Sequence, residues 1–189
     1  LILRTNSIIF VNTMTEKKSI WDSASKAGLA LGGISVAYLA LTSLLGLLAG
    51  EGKAAAIIVS VANTILWMVK FAACLFMLRF FMLRWSEANP EADNSDSFRF
   101  GRLTALFSAL VYSGCYLAYT TFINPAVYDE AFSILKSNPM MNSASLQAME
   151  NILPMMPTYT FFGNLIYCWL FGVALSAIYS RNIPSKNPF

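Results

Sequence analysis

The chain has 189 residues, of which 57% are hydrophobic and only 12% charged, with a net charge of +3. So few charged groups cannot clothe a water-soluble surface, and so small a positive excess is no nucleic-acid footprint. The balance suits a chain whose solvent is mostly lipid.

Residues 1–13 carry Arg4 and a short apolar run, Ile8 to Val11, with no A-x-A site after it. That run is too short for the core of a signal peptide. Met14-Thr15-Glu16-Lys17-Lys18 has the look of an ordinary bacterial start. Residues 1–13 are therefore expected to be a disordered upstream extension.

Four stretches beyond this point are long and apolar enough to cross a bilayer, which takes about 20 residues. They are residues 27–50, 54–83, 103–123 and 158–180, and only the second is interrupted by charge, at Lys70 and Arg79. In lipid each must be a helix, because an isolated strand leaves its backbone unsatisfied. The short alternating segments of a barrel are absent from the sequence. The expected fold is all-α: an integral membrane four-helix bundle in one domain, residues 14–181, followed by a cytoplasmic tail, 182–189.

The breaks agree with these bounds. Glu51-Gly52-Lys53 makes a tight turn, and Asn89-Pro90 stops the second helix. Asn124-Pro125 stops the third, since a residue before proline is pushed out of the α region. Pro157 precedes the fourth, and Pro184 and Pro188 close the tail. Between the second and third helices, residues 84–102 read as a solvated polar connector with Glu87, Glu91, Asp93 and Asp96. The connector 125–157 is expected to hold two short amphipathic helices. The first puts Val127, Ala131, Ile134 and Leu135 on one face and stops at Asn138-Pro139; the second runs from about Ser143 to Ile152.

Orientation follows from Lys and Arg in the short loops. Arg4, Lys17, Lys18, Lys26, Arg79, Arg84, Arg99, Arg102, Arg181 and Lys186 fall on one side, and Lys53 and Lys136 on the other. The bias puts both termini in the cytoplasm and residues 125–157 outside, in a bacterial inner membrane. Trp21, Trp85 and Phe98 fall where an interfacial aromatic belt is expected.

Lys70 is the residue that asks for an explanation. A lysine at the centre of a membrane helix costs roughly 2.5–3.5 kcal/mol on insertion scales. Helical spacing puts it on one face with Ser60, Asn63, Trp67, Cys74 and Met77. The third helix offers Ser108, Tyr112, Cys115 and Tyr119, with Tyr116 close by, and the fourth offers Asn164 and Tyr167. The candidate intramembrane polar cluster is therefore Lys70 with Asn63, Trp67, Tyr112, Tyr116, Tyr167 and Asn164. Trp67, one turn away, is placed for a cation–π contact. The lysine can also snorkel toward the headgroups, or serve only as a packing device.

The remaining features are blander. Gly28 with Gly32, and Gly46 with Gly50, are spaced as small residues that let helices approach closely, and Ser35 and Thr42 extend the first pair's face. Cys74, Cys115 and Cys168 lie in apolar stretches and read as buried thiols. The outer connector has Met140, Met141, Met149, Met155 and Met156, but no M-x-M repeat, and the chain has no histidine. No metal and no cofactor is expected. There is no paired intramembrane carboxylate, no P-loop and no nucleophile motif, so no enzyme is expected either.

Four short motifs carry a resemblance. They are Lys26-Ala27-Gly28, Trp67-Met68-Val69-Lys70-Phe71, Phe100-Gly101-Arg102 and Ile123-Asn124-Pro125. In these the chain, from about Lys17 to Ser180, resembles a Bacteroidetes-type family of small four-helix membrane proteins known only as a domain of unknown function. The resemblance implies topology, an inner-membrane location and a lysine in the second helix as part of the family pattern. It implies no activity, cofactor or catalytic residue.

Two functions remain open on these grounds. One is an accessory or structural membrane component. The other is a small binding or transport module for an anionic solute or lipid headgroup, centred on Lys70. The partner is the lipid bilayer and not nucleic acid, with a homo-oligomer or a second membrane protein left open. The topology is checked with reporter fusions after Lys53, Asp93, Lys136 and Phe189, which should read out, in, out and in. A periplasmic signal at Phe189 overturns the four-span arrangement.

Overall fold

The computed structural model describes residues 2–48, 53–137 and 141–183. Gly50, the Glu51-Gly52 part of the first turn, the Asn138-Pro139 stop and the prolines at 184 and 188 lie outside them. The elements are α1 (Ile2–Leu48), α2 (Lys53–Ala88), α3 (Asn94–Ala118), α4 (Val127–Lys136), α5 (Ser143–Ile152) and α6 (Met156–Asn182). A π-helical turn, Tyr119–Ile123, extends α3, and a 3₁₀ turn, Leu153–Met155, leads into α6. Among the described residues there is no strand. Four helical stretches among them are long and apolar enough to cross a membrane: Ile20–Gly46, Ala55–Ala88, Asn94–Ile123 and Ser143–Asn182. The chain is a small polytopic membrane protein of four-helix-bundle type.

Three boundaries differ from the sequence expectation. Residues 2–13 are helical and continuous with the first span. No proline occurs before Pro90 and no glycine before Gly28, so nothing in this segment interrupts a helix. The connector between α2 and α3 is residues 89–93, far shorter than the 84–102 expected. Asp93 is extended and its carboxylate accepts the Asp96 backbone N–H at 2.8 Å, which caps α3 nine residues earlier than hydropathy alone suggests. Trp85 is not part of an interfacial belt. It is 7% exposed and stacks on Phe100, with ring centroids 5.0 Å apart.

The other breaks fall where proline puts them. α2 ends at Ala88 before Asn89-Pro90, and Pro157 sits in the first turn of α6. Asn124 leaves the helical region (φ −131°, ψ 72°) ahead of Pro125. The two short helices of the long connector are present at Val127–Lys136 and Ser143–Ile152. Neither buries a residue against the bundle, and Ile134 on the expected apolar face of α4 is 71% exposed.

The bundle is organised around α3, which packs along both α1 and α6; α2 touches each neighbour far less. Small residues make the close contacts. A Cβ added at Gly28 would run into Phe107, and one at Gly32 would run into Val111, so α1 and α3 meet backbone to backbone. On the other side Gly101 of α3 faces Ser176 of α6, and Gly172 faces Ala105. Both pairs of positions have small-xxx-small spacing. Gly46 meets nothing within 4 Å, so the expected Gly46–Gly50 packing pair has no support at its described member. The densest apolar packing lies toward one end, where Ala24, Leu31, Leu78, Met82, Trp85, Phe100 and Leu103 come together.

Two glycine-to-alanine changes on one helix should part company. Gly172→Ala drives a methyl into that of Ala105, which is fixed to backbone, and should lose about 1–3 kcal/mol by overpacking. Gly163→Ala points into open space and should be neutral or gain up to about 1 kcal/mol of helix propensity. Unfolding in detergent micelles measures both, and equal effects would overturn this account of the α3–α6 seam.

Candidate functional site: the Lys70 cavity

Lys70 stands near the middle of α2, and its side chain turns inward. The amine lies 4.6 Å from the centre of the Tyr112 ring on α3 and 5.0 Å from that of Tyr38 on α1. Both distances are within the range where the negative face of an aromatic ring attracts a cation. Among the described residues the amine takes part in no ion pair. The one described salt bridge, Lys26 to Asp22 at 2.7 Å, is on the surface of α1.

Beside the amine is a cavity of about 150 Å³. All four spans contribute to its wall. α1 supplies Ser35, α2 supplies Cys74 and Lys70 itself, α3 supplies Ser108 and Tyr112, and α6 supplies Cys168 and Tyr167. Ser35 Oγ and Cys74 Sγ are 4.0 Å apart across α1 and α2. No carboxylate lines it among the described residues. The residues named supply one cation, four hydroxyls and two thiols around a space too large to be a packing defect and too small for a whole drug-sized ligand.

The structure distributes the expected cluster unevenly. Tyr112 meets the amine, with its ring face. Tyr167 reaches the cavity, but at its rim, 71% exposed and stacked on Phe171. Trp67 also lines the cavity, yet its ring stacks on Phe71 at 5.6 Å, and the rings over the amine are Tyr38 and Tyr112. Tyr116 does not line the cavity, and its ring lies tilted between those of Tyr112 (6.2 Å) and Tyr119 (6.3 Å). Asn63 and Asn164 are half-buried and do not line the cavity. The Oδ1 atom of Asn63 is buried with no hydrogen-bond partner among the described residues. Cys74 and Cys168 share the cavity, and Cys115 does not line it.

Tyr38 was missed by sequence reasoning. It sits one turn from Ser35, on the face that Gly28, Gly32 and Ser35 turn toward the bundle, so the small-residue stripe was the signal that could have found it. No protein-family model, curated protein or solved structure matches the chain.

The two rings make the site testable without a ligand. In a double-mutant cycle, Tyr112→Leu and Lys70→Met should couple by about 0.5–2 kcal/mol in detergent unfolding. The same holds for Tyr38→Leu with Lys70→Met. Zero coupling in both cycles would mean that the amine spends its time elsewhere, at the headgroups.

Proposed function

We propose that this small polytopic membrane protein holds an anionic group, carried by a solute or by a lipid headgroup, against Lys70. The observation that carries the reading is a cation inside the bundle beside an open cavity of about 150 Å³, with no carboxylate among the described residues to pair with it. A charge in a low-dielectric setting attracts an opposite charge far more strongly than it does in water. The serine hydroxyls of Ser35 and Ser108 supply donors on the same wall.

The competing reading is an accessory or structural component in which Lys70 only helps packing. A closed bundle around the amine would favour it, and the cavity counts against it. In the binding reading the protein works by holding its ligand and not by catalysis. The chain has no histidine, and no carboxylate pair lies within the expected spans. It resides in a bacterial inner membrane with both termini in the cytoplasm, supported by the bias of Lys and Arg toward one side.

Native mass spectrometry from a mild detergent tests the reading directly. The wild-type protein should carry anionic adducts, and Lys70→Met should lose them while keeping its helical content and running as a single species. Lys70→Met keeps side-chain length and removes a charge that is costly to bury, so it should fold as well or better. Equal adducts on both proteins would overturn the assignment.

A further inference from the structure

The mouth of the Lys70 cavity has a direction. Its inner wall is tightly packed: Ser35 on α1 is 7% exposed and Ala105 on α3 is 3% exposed. Its rim is not. Trp67 on α2 is 53% exposed, and Tyr167 and Phe171 on α6 are 71% and 38% exposed. The opening therefore lies between α2 and α6, at the level of Lys70, in the middle of both spans. A surface at that depth faces hydrocarbon and not water.

A second, larger space adjoins the first. A groove of about 430 Å³ runs along α2 past Ala72, Leu75 and Phe76, with Tyr179 of α6 beside it and Arg79 at its far end. It shares Trp67 and Phe71 with the Lys70 cavity, so the two spaces meet at that aromatic stack. From Trp67 to Arg79 is about 18 Å along the helix axis at ~1.5 Å per residue. Apart from Arg79 and the Tyr179 hydroxyl, its lining is apolar.

We infer that the ligand reaches Lys70 from within the bilayer and is an amphiphile: an anionic head of carboxylate or phosphate type with an apolar acyl chain. This rests on the reading of Lys70 as an anion site. The two volumes argue for it. The inner cavity fits a small charged head and a few waters, at ~30 Å³ each, but no chain. The outer groove fits a chain, and its apolar wall gives an anion nothing to bind until Arg79. An ion arriving from water would have to cross hydrocarbon to reach the same mouth, whereas a lipid is already there. The aromatic rim, Trp67, Phe71, Tyr167 and Phe171, is where head and chain divide.

Trp67 is a built-in reporter. The full-length protein is placed in nanodiscs of neutral phosphatidylcholine, and dibrominated stearic acid is titrated in, with the dibrominated alcohol as its uncharged twin. The Trp67→Phe variant identifies the part of the quenching that Trp67 carries. The acid should quench that part saturably, at a mole fraction about tenfold lower than the alcohol. Lys70→Met should erase the difference. Leu75→Phe, which narrows the groove and leaves Lys70 in place, should weaken the acid about tenfold. Excess acetate or inorganic phosphate should not displace it. If either short anion displaces the acid fully and Leu75→Phe has no effect, the site binds water-borne anions; the amphiphile is then wrong and the anion site stands. If acid and alcohol quench alike in the wild type and neither short anion binds, both readings fall. Should Lys70→Met fail to fold, the acid–alcohol comparison and Leu75→Phe still decide.

Discussion

The close approach of α3 to α1 on one side and to α6 on the other is the constraint on which the rest of the structure depends. In lipid there is little hydrophobic force to bring helices together, so contact must come from fitted surfaces. Gly28 and Gly32 supply one such surface, and Gly101, Ala105, Gly172 and Ser176 the other. Ser176 also folds its hydroxyl onto the Gly172 carbonyl at 2.7 Å, which keeps a polar group inside the seam without a foreign partner. Three helices are locked in this way. α2 has no glycine, and it touches the others far less. Its anchor is at one end, where Leu78, Met82 and Trp85 enter the core and Trp85 stacks on Phe100.

That difference sets the terms for Lys70. Its charge costs roughly 2.5–3.5 kcal/mol at the centre of a span. Two aromatic faces at 4.6 and 5.0 Å return about 0.5–2 kcal/mol each. The sum covers much of the cost and leaves the hydrogen-bonding capacity of three N–H donors unused. The adjacent cavity has room for several waters, or for an anion with fewer. Among the described residues aromatic faces flank the amine, and the open volume beside it leaves room for polar partners.

Much of this was legible in the sequence because lipid is an unforgiving solvent. The helix count and the breaks at Asn89-Pro90 and Asn124-Pro125 follow from backbone satisfaction and proline sterics, which are local. The connector at 84–102 was misread because Arg84, Glu87, Glu91 and Asp93 look like loop. Hydropathy does not see that Trp85 turns inward to Phe100, nor that the Asp93 carboxylate starts a helix. The inward turn of Lys70 was implied by its face, yet its partners depend on how α1 and α3 rotate against each other. That rotation is set by Gly28 and Gly32, so Tyr38 comes into view only once the seam is built. Trp67 was an appealing partner by spacing, but a residue one turn away on the same helix competes with Phe71 stacking on the same side.

The placement of the charge on α2 is itself a consequence of packing. A lysine on α3 at the level of Gly101 or Ala105 would find no volume, because the backbones of α3 and α6 are already in contact there. On the lipid face of α1 or α6 it would find volume but no inward neighbours. Only a helix held more loosely against the locked trio leaves a space that is walled on one side by hydroxyls and aromatic rings and open on the other. Thus the weak packing of α2 and the position of Lys70 belong together: the loose helix makes the cavity, and the cavity makes the charge tolerable.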